Sequence, residues 1–147
     1  NLRFIQEKRG PNGPYEVTQL VNSFLGALAH PWEKYKRELA AIPLASAFEN
    51  GWPRVSPLDP SNEDPATLGD LIRLIRNGIA HGNIEFASDA NGEISLIRIW
   101  NTLTGSRRRT WEAILTVHEM EAFLHKFVEQ AKALQSAAWR EKSEKKG

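Results

Sequence analysis

Residues 76–81, R-N-G-I-A-H, place an arginine, an amide and a histidine within six positions. An arginine fork binds phosphate oxygens and stabilises charge that builds on them, and an imidazole moves protons near neutral pH. A reaction that uses both, with neither metal nor thiol, is cleavage of RNA by its own 2′-hydroxyl. In that chemistry His81 transfers the proton, Arg76 clamps the phosphate, and Asn77 holds a substrate hydroxyl or orients His81. No metal and no cofactor is expected: the chain has no cysteine, no Gly-rich phosphate loop and no serine elbow.

The same residues have a plain structural reading. A histidine followed by glycine is an ordinary helix end, because His⁺ complements the helix dipole and Gly82 can take the left-handed cap conformation. Spacing sharpens the chemical reading. At about 100° per residue, Arg76 and His81 diverge by about 140°, whereas Asp70, Arg73, Asn77 and His81 share one polar stripe. One helix therefore cannot easily aim Arg76 and His81 at one phosphate, but two copies facing across a two-fold axis can. The expected partners are an RNA substrate and a second copy of the chain.

The elements that must hold this motif are legible as periods. Leu68, Leu71, Ile72, Ile75 and Ile79 form an apolar stripe that predicts a helix over about 64–81, with Ser61 and Asn62 as cap residues ahead of it. Val17, Leu20, Val21, Phe24, Leu25 and Leu28 predict an earlier helix over about 15–30, stopped by Pro31. A shorter second helix, interrupted at Pro43, is expected in "EKYKRELAAIPLASAFEN", then a Pro-rich connection over 50–65. After Gly82 the period changes to two, and "NIEFAS", "EISLIRIW" and "RTWEAILTV" read as strands, the first two joined at "DANG". A last amphipathic helix begins near Val117 and gives way to a basic tail, 139–147, expected to fray. The fold class is mainly α, a helical bundle with an antiparallel sheet of about three strands inserted before the last helix.

The 147 residues fit a single domain, 1–147. Lys+Arg 19 against Asp+Glu 18 leaves a net charge of +1, so any anion site must be local. No apolar run approaches the ~20 residues of a membrane span, so no membrane association and a cytoplasmic location are expected. "NLRFIQEKRG" lacks the apolar centre of a signal peptide, and a chain trimmed ahead of Asn1 is expected rather than a processed precursor.

R-N-G-I-A-H resembles the Arg-(four to six residues)-His signature of the HEPN superfamily (higher eukaryotes and prokaryotes nucleotide-binding domain). The flanking "QLVNSFLGAL", the proline-interrupted middle, "LIRLIRNGIAHGNIEF" and the strand insert resemble a plasmid-borne prokaryotic subgroup, over about residues 14–135. The resemblance implies a helical bundle, often dimeric, and metal-independent endoribonuclease activity in toxin or antiviral defence systems, with a cognate antitoxin as a further partner. It implies Arg76 and His81 as the catalytic pair and Asn77 as their polar support. The alternative is a catalytically inactive HEPN-like module that dimerises or binds RNA or nucleotide.

Arg73 on the polar stripe, and Arg107, Arg108 and Arg109 in "GSRRRTW", are the candidate RNA contacts; a solvated turn that protects a sheet edge explains the triple equally well. Trp100 and Trp111 lie in apolar strand patterns and read as core or interface, leaving Trp52 as the tryptophan to watch for ligand contact. His118, Glu121 and His125 share a helix face, but their spacing does not match a helical zinc site, and a solvated or capping role is expected. His30, before Pro31, reads as a helix end.

Overall fold

Leu68, Leu71, Ile72, Ile75 and Ile79 are all buried along one face of a helix, α3 (Leu68–Ala80). Thirteen residues are marginal as an isolated helix, so tertiary burial, worth about 1.5–3 kcal/mol for each large apolar side chain, holds it together. The computed structural model describes residues 14–55, 57–59 and 63–147. Among these, α3 is preceded by α1 (Pro14–Ala40) and α2 (Leu44–Glu49), and followed by β1 (Ile84–Ser88), β2 (Ile94–Thr102), β3 (Arg109–Thr116) and α4 (Val117–Glu144). The chain is mainly helical, with a three-stranded antiparallel sheet ahead of the final helix, as the periods predict.

Helix α1 corrects the expectation that Pro31 ends it. The helix passes through Pro31 and its irregularity falls at Tyr35, with φ −113° and ψ 15°. A proline inside a helix costs about 3 kcal/mol. Beyond it, Tyr35 and Leu39 are buried at i and i+4, and their burial offsets a cost of that size. The helix that carries Val17, Val21, Phe24 and Leu28 into the core therefore also delivers Trp32 and Glu33 to α3.

The start of α3 is also later than 64. Thr67 is its N-cap: its Oγ accepts from the Asp70 amide at 3.1 Å, and Asp70 Oδ2 accepts from the Thr67 amide at 3.2 Å. Ser61 and Asn62 lie outside the described residues. The cap is fixed in space by a bridge between Pro43 and Thr67, where the Leu44 amide donates to Ala66 and the Leu68 amide to Ile42.

The sheet has the order β1-β2-β3. Ile97 and Ile99 of β2, with Trp111, Ala113 and Leu115 of β3, turn inward toward the helices. The Asp89–Gly92 turn closes the first hairpin, with Asp89 Oδ1 accepting from the amides of Asn91 and Glu93. The outer edge of β3 is covered by the Pro-rich connection, whose Leu58 and Glu63 amides donate to the carbonyls of Glu112 and Thr110. Thr116 then caps α4 in a second reciprocal box with Glu119. Phe123 on α4 packs against Phe24 and, edge to face, against Trp52. The segment 139–147 is helical as far as Glu144, and Trp139 on it is exposed. Among the described residues no helix is long and apolar enough to cross a membrane.

Candidate functional site

The polar motif sits where α3 leaves the core. Gly78, in its middle, is required by packing: a Cβ there would meet the Trp100 carbonyl oxygen at 2.9 Å and collide with the Ile99 side chain. The absence of a side chain lets α3 lie directly on β2, and Asn101 Nδ2 locks the contact by donating to the Leu74 carbonyl at 2.7 Å. The strand insert thus fixes the position of the helix end.

The helix closes through its backbone. Gly82, at φ +73°, donates to the Ile79 carbonyl and Asn83 to the Gly78 carbonyl, at 3.0 and 2.8 Å. This is the paired bonding of a Schellman cap, with His81 at the C-cap. The plain structural reading of Gly82 is therefore correct. It leaves the His81 imidazole uncommitted, because main-chain atoms make the cap; the residue is exposed and its side chain has no hydrogen bond among the described residues.

Arg76 is restrained instead. Its guanidinium carbon lies 4.9 Å from the centroid of the Trp32 ring, Nη2 is 3.9 Å from Glu33 Oε1, and Nη1 donates to Asn77 Oδ1 at 3.4 Å. Glu33 is half exposed, and ion pairs of that kind contribute about 0–1 kcal/mol. A partly desolvated guanidinium over indole is worth about 0.5–2 kcal/mol. The stack on Trp32 therefore does more than the ion pair to hold Arg76, and it leaves the edge of the guanidinium able to donate.

Arg76 and Asn77 are brought into contact; Arg76 and His81 are not joined by any hydrogen bond or ion pair. Asn77 and His81 meet through the backbone, where the His81 amide donates to the Asn77 carbonyl at 3.0 Å. The neighbours that sequence reasoning missed are Trp32 and Glu33, which carry no local signal because only the course of α1 past Pro31 brings them here.

A comparison with family models decides the lineage: the model described as HEPN pEK499 p136 matches residues 1–136. The chain belongs to the HEPN superfamily. No curated protein and no solved structure matches it. In this HEPN chain the Arg-x4-His motif, Arg76 to His81, ends the third described helix, immediately before the strand insert.

The remaining candidates fall elsewhere. Arg73 is paired with Glu63 at 2.7 Å on the stripe that carries Asn77. Arg107 and Arg108 are exposed on the β2–β3 loop, whereas Arg109 is the first residue of β3, bonded to Glu112 at 2.7 Å and stacked 4.3 Å from the centroid of Trp100. Trp52, the tryptophan to watch for ligand contact, is buried edge to face against Phe123. His118, Glu121 and His125 line an open surface groove on α4, and among the described residues no three His, Cys, Asp or Glu side chains converge as a metal site would require. The His30 side chain lies outside the described ones.

Proposed function

We propose that the protein is a metal-independent endoribonuclease of HEPN type that works as a homodimer. The observation that carries this reading is the division of labour at the end of α3. There, Arg76 is stacked on Trp32 with Asn77 and Glu33 at its edge, while the His81 imidazole is exposed and makes no hydrogen bond among the described residues. The RNA 2′-oxygen attacks the adjacent phosphorus and the bond from phosphorus to the 5′-oxygen breaks, leaving a 2′,3′-cyclic phosphate and a free 5′-hydroxyl. His81 accepts the 2′-hydroxyl proton, and the leaving 5′-oxygen gains a proton from a second His81 or from water. Arg76 binds the non-bridging oxygens, where charge accumulates, and Asn77 steadies Arg76. Because Arg76 and His81 diverge on one helix, the partner copy completes the set.

Labelled RNA incubated with purified protein in excess chelator tests the reading. Formation of 2′,3′-cyclic phosphate ends, abolished by His81→Ala, supports it; activity that persists in His81→Ala, or that requires a divalent ion, overturns it.

A second reading, an inactive RNA- or nucleotide-binding module, is favoured by the engagement of Arg76 with Glu33 and by the net charge of only +1. It predicts binding without cleavage in the same assay. A toxin or defence role, neutralised by a cognate antitoxin and exercised in the cytoplasm, follows as a proposal from family membership, and growth arrest on expression of wild type but not His81→Ala tests it.

A further inference from the structure

Among the described residues the helices pack against one face of the sheet, the one that carries Ile97, Ile99, Trp111, Ala113 and Leu115. On β2, Ile97 and Ile99 point inward, so Leu96, Arg98 and Trp100 point outward. Across the strands Arg98 stands opposite Glu85 and Ile114, and Trp100 opposite Glu112. The Arg109 guanidinium lies over the Trp100 ring at 4.3 Å, tethered by Glu112 at 2.7 Å. Arg98 also reaches Glu112, at 3.4 Å, and Glu85, at 3.7 Å. Just beyond, Arg107 and Arg108 are exposed, and neither guanidinium has a partner among the described residues. Arg98 and Arg109 thus share two carboxylates beside a partly buried indole, with Arg107 and Arg108 close by in sequence, in a chain whose net charge is only +1.

We propose that this outward face is a stacking platform for unpaired RNA. Trp100 with its stacked Arg109 receives bases, and Arg98, Arg107 and Arg108 receive the adjoining phosphates. A flat aromatic flanked by arginines suits single strands, whose base faces are free, and not duplexes, whose base faces are hidden. The strand that carries the platform also carries the candidate site's helix, since the Trp100 main chain lies against α3 at Gly78. This inference rests on the reading of the protein as acting on RNA, and deepens it by naming unpaired RNA as the substrate class.

The test uses the full chain and a fluorescent 2′-O-methyl oligouridine, which cannot be cleaved because its 2′-oxygen is blocked, alone and annealed to its complement. The single strand is expected to bind more tightly than the duplex. Trp100→Ala is expected to weaken single-strand binding by about ten-fold with little change for the duplex, and Trp100→Phe to retain most of it. Independently, changing Arg107 and Arg108 to alanine is expected to lower the slope of log affinity against log salt by about 1.4, near 0.7 for each lost phosphate contact. Equal binding by Trp100→Ala and wild type, with unchanged circular dichroism, overturns the proposal, as does duplex binding as tight as single-strand binding. Unmethylated RNA run in parallel separates the two readings. RNA left intact by a wild type that binds the methylated strand refutes the nuclease and not the platform; cleavage with binding insensitive to Trp100→Ala refutes the platform and not the nuclease.

Discussion

The Arg76 guanidinium stacks 4.9 Å from the centre of the Trp32 ring, while the indole Nε1 of Trp32 is buried without a hydrogen-bond partner. The indole therefore serves as an apolar surface rather than as a donor. Its burden of one unsatisfied N–H is the kind that costs about 1–3 kcal/mol. A residue kept under that cost, with its face turned to the motif arginine, positions Arg76.

This makes Trp32→Phe informative. Phenylalanine keeps an aromatic face and removes the orphan N–H, so lost packing and a relieved polar penalty nearly cancel. Stability is expected to change by less than about 1 kcal/mol in urea unfolding. Cleavage by Trp32→Phe should stay within a few-fold of wild type. Trp32→Leu, which removes the face, should lower kcat by about ten-fold with little effect on KM. Equal losses in the phenylalanine and leucine variants would show that the aromatic face has no positioning role.

Two helical glycines are expected to respond with opposite signs. Gly78→Ala drives a methyl against the Trp100 carbonyl and Ile99, an overpacking worth about 1–3 kcal/mol that exceeds the helix-propensity gain of about 1 kcal/mol. Gly26 lies in α1 with nothing near its missing Cβ, so Gly26→Ala should stabilise by up to about 1 kcal/mol. Urea midpoints at constant m-value measure both. A stabilised Gly78→Ala would mean that α3 and β2 are not in the contact described.

The contrast between these positions also shows what the sequence could reveal. The stripe Leu68 to Ile79 and the switch to period two after Gly82 were readable because burial on one face imposes a period. The passage of α1 through Pro31 was not, because what offsets the proline is the burial of Tyr35 and Leu39 against distant residues. For the same reason Thr67 rather than Ser61 or Asn62 as the cap of α3 was hidden, since its backbone is pinned by Pro43. Within the motif, the divergence of Arg76 from His81 followed from helix geometry alone, whereas the Trp32 platform required the fold. The outward orientation of Trp100 was latent in its alternation with Ile97 and Ile99, but the apolar density of "ISLIRIW" concealed it.

The expected composite site can be tested by mixing two inactive variants. If each site joins Arg76 of one copy to His81 of the other, neither Arg76→Ala nor His81→Ala alone retains a complete pair. A heterodimer of the two regains one: the His81→Ala copy supplies Arg76 and the Arg76→Ala copy supplies His81. Random re-association makes about half the dimers mixed, each with one of its two sites restored, so activity should return to roughly a quarter of wild type. If the reaction is completed within one chain, or needs both copies of each residue at every site, mixing restores nothing. Sedimentation of the mixture checks that dimers form and exchange, so that a null result cannot be ascribed to failed assembly. Cyclic-phosphate yield against mixing ratio should peak at equal amounts of the two variants; a flat profile in exchanging dimers overturns a site built from one Arg76 and the partner copy's one His81.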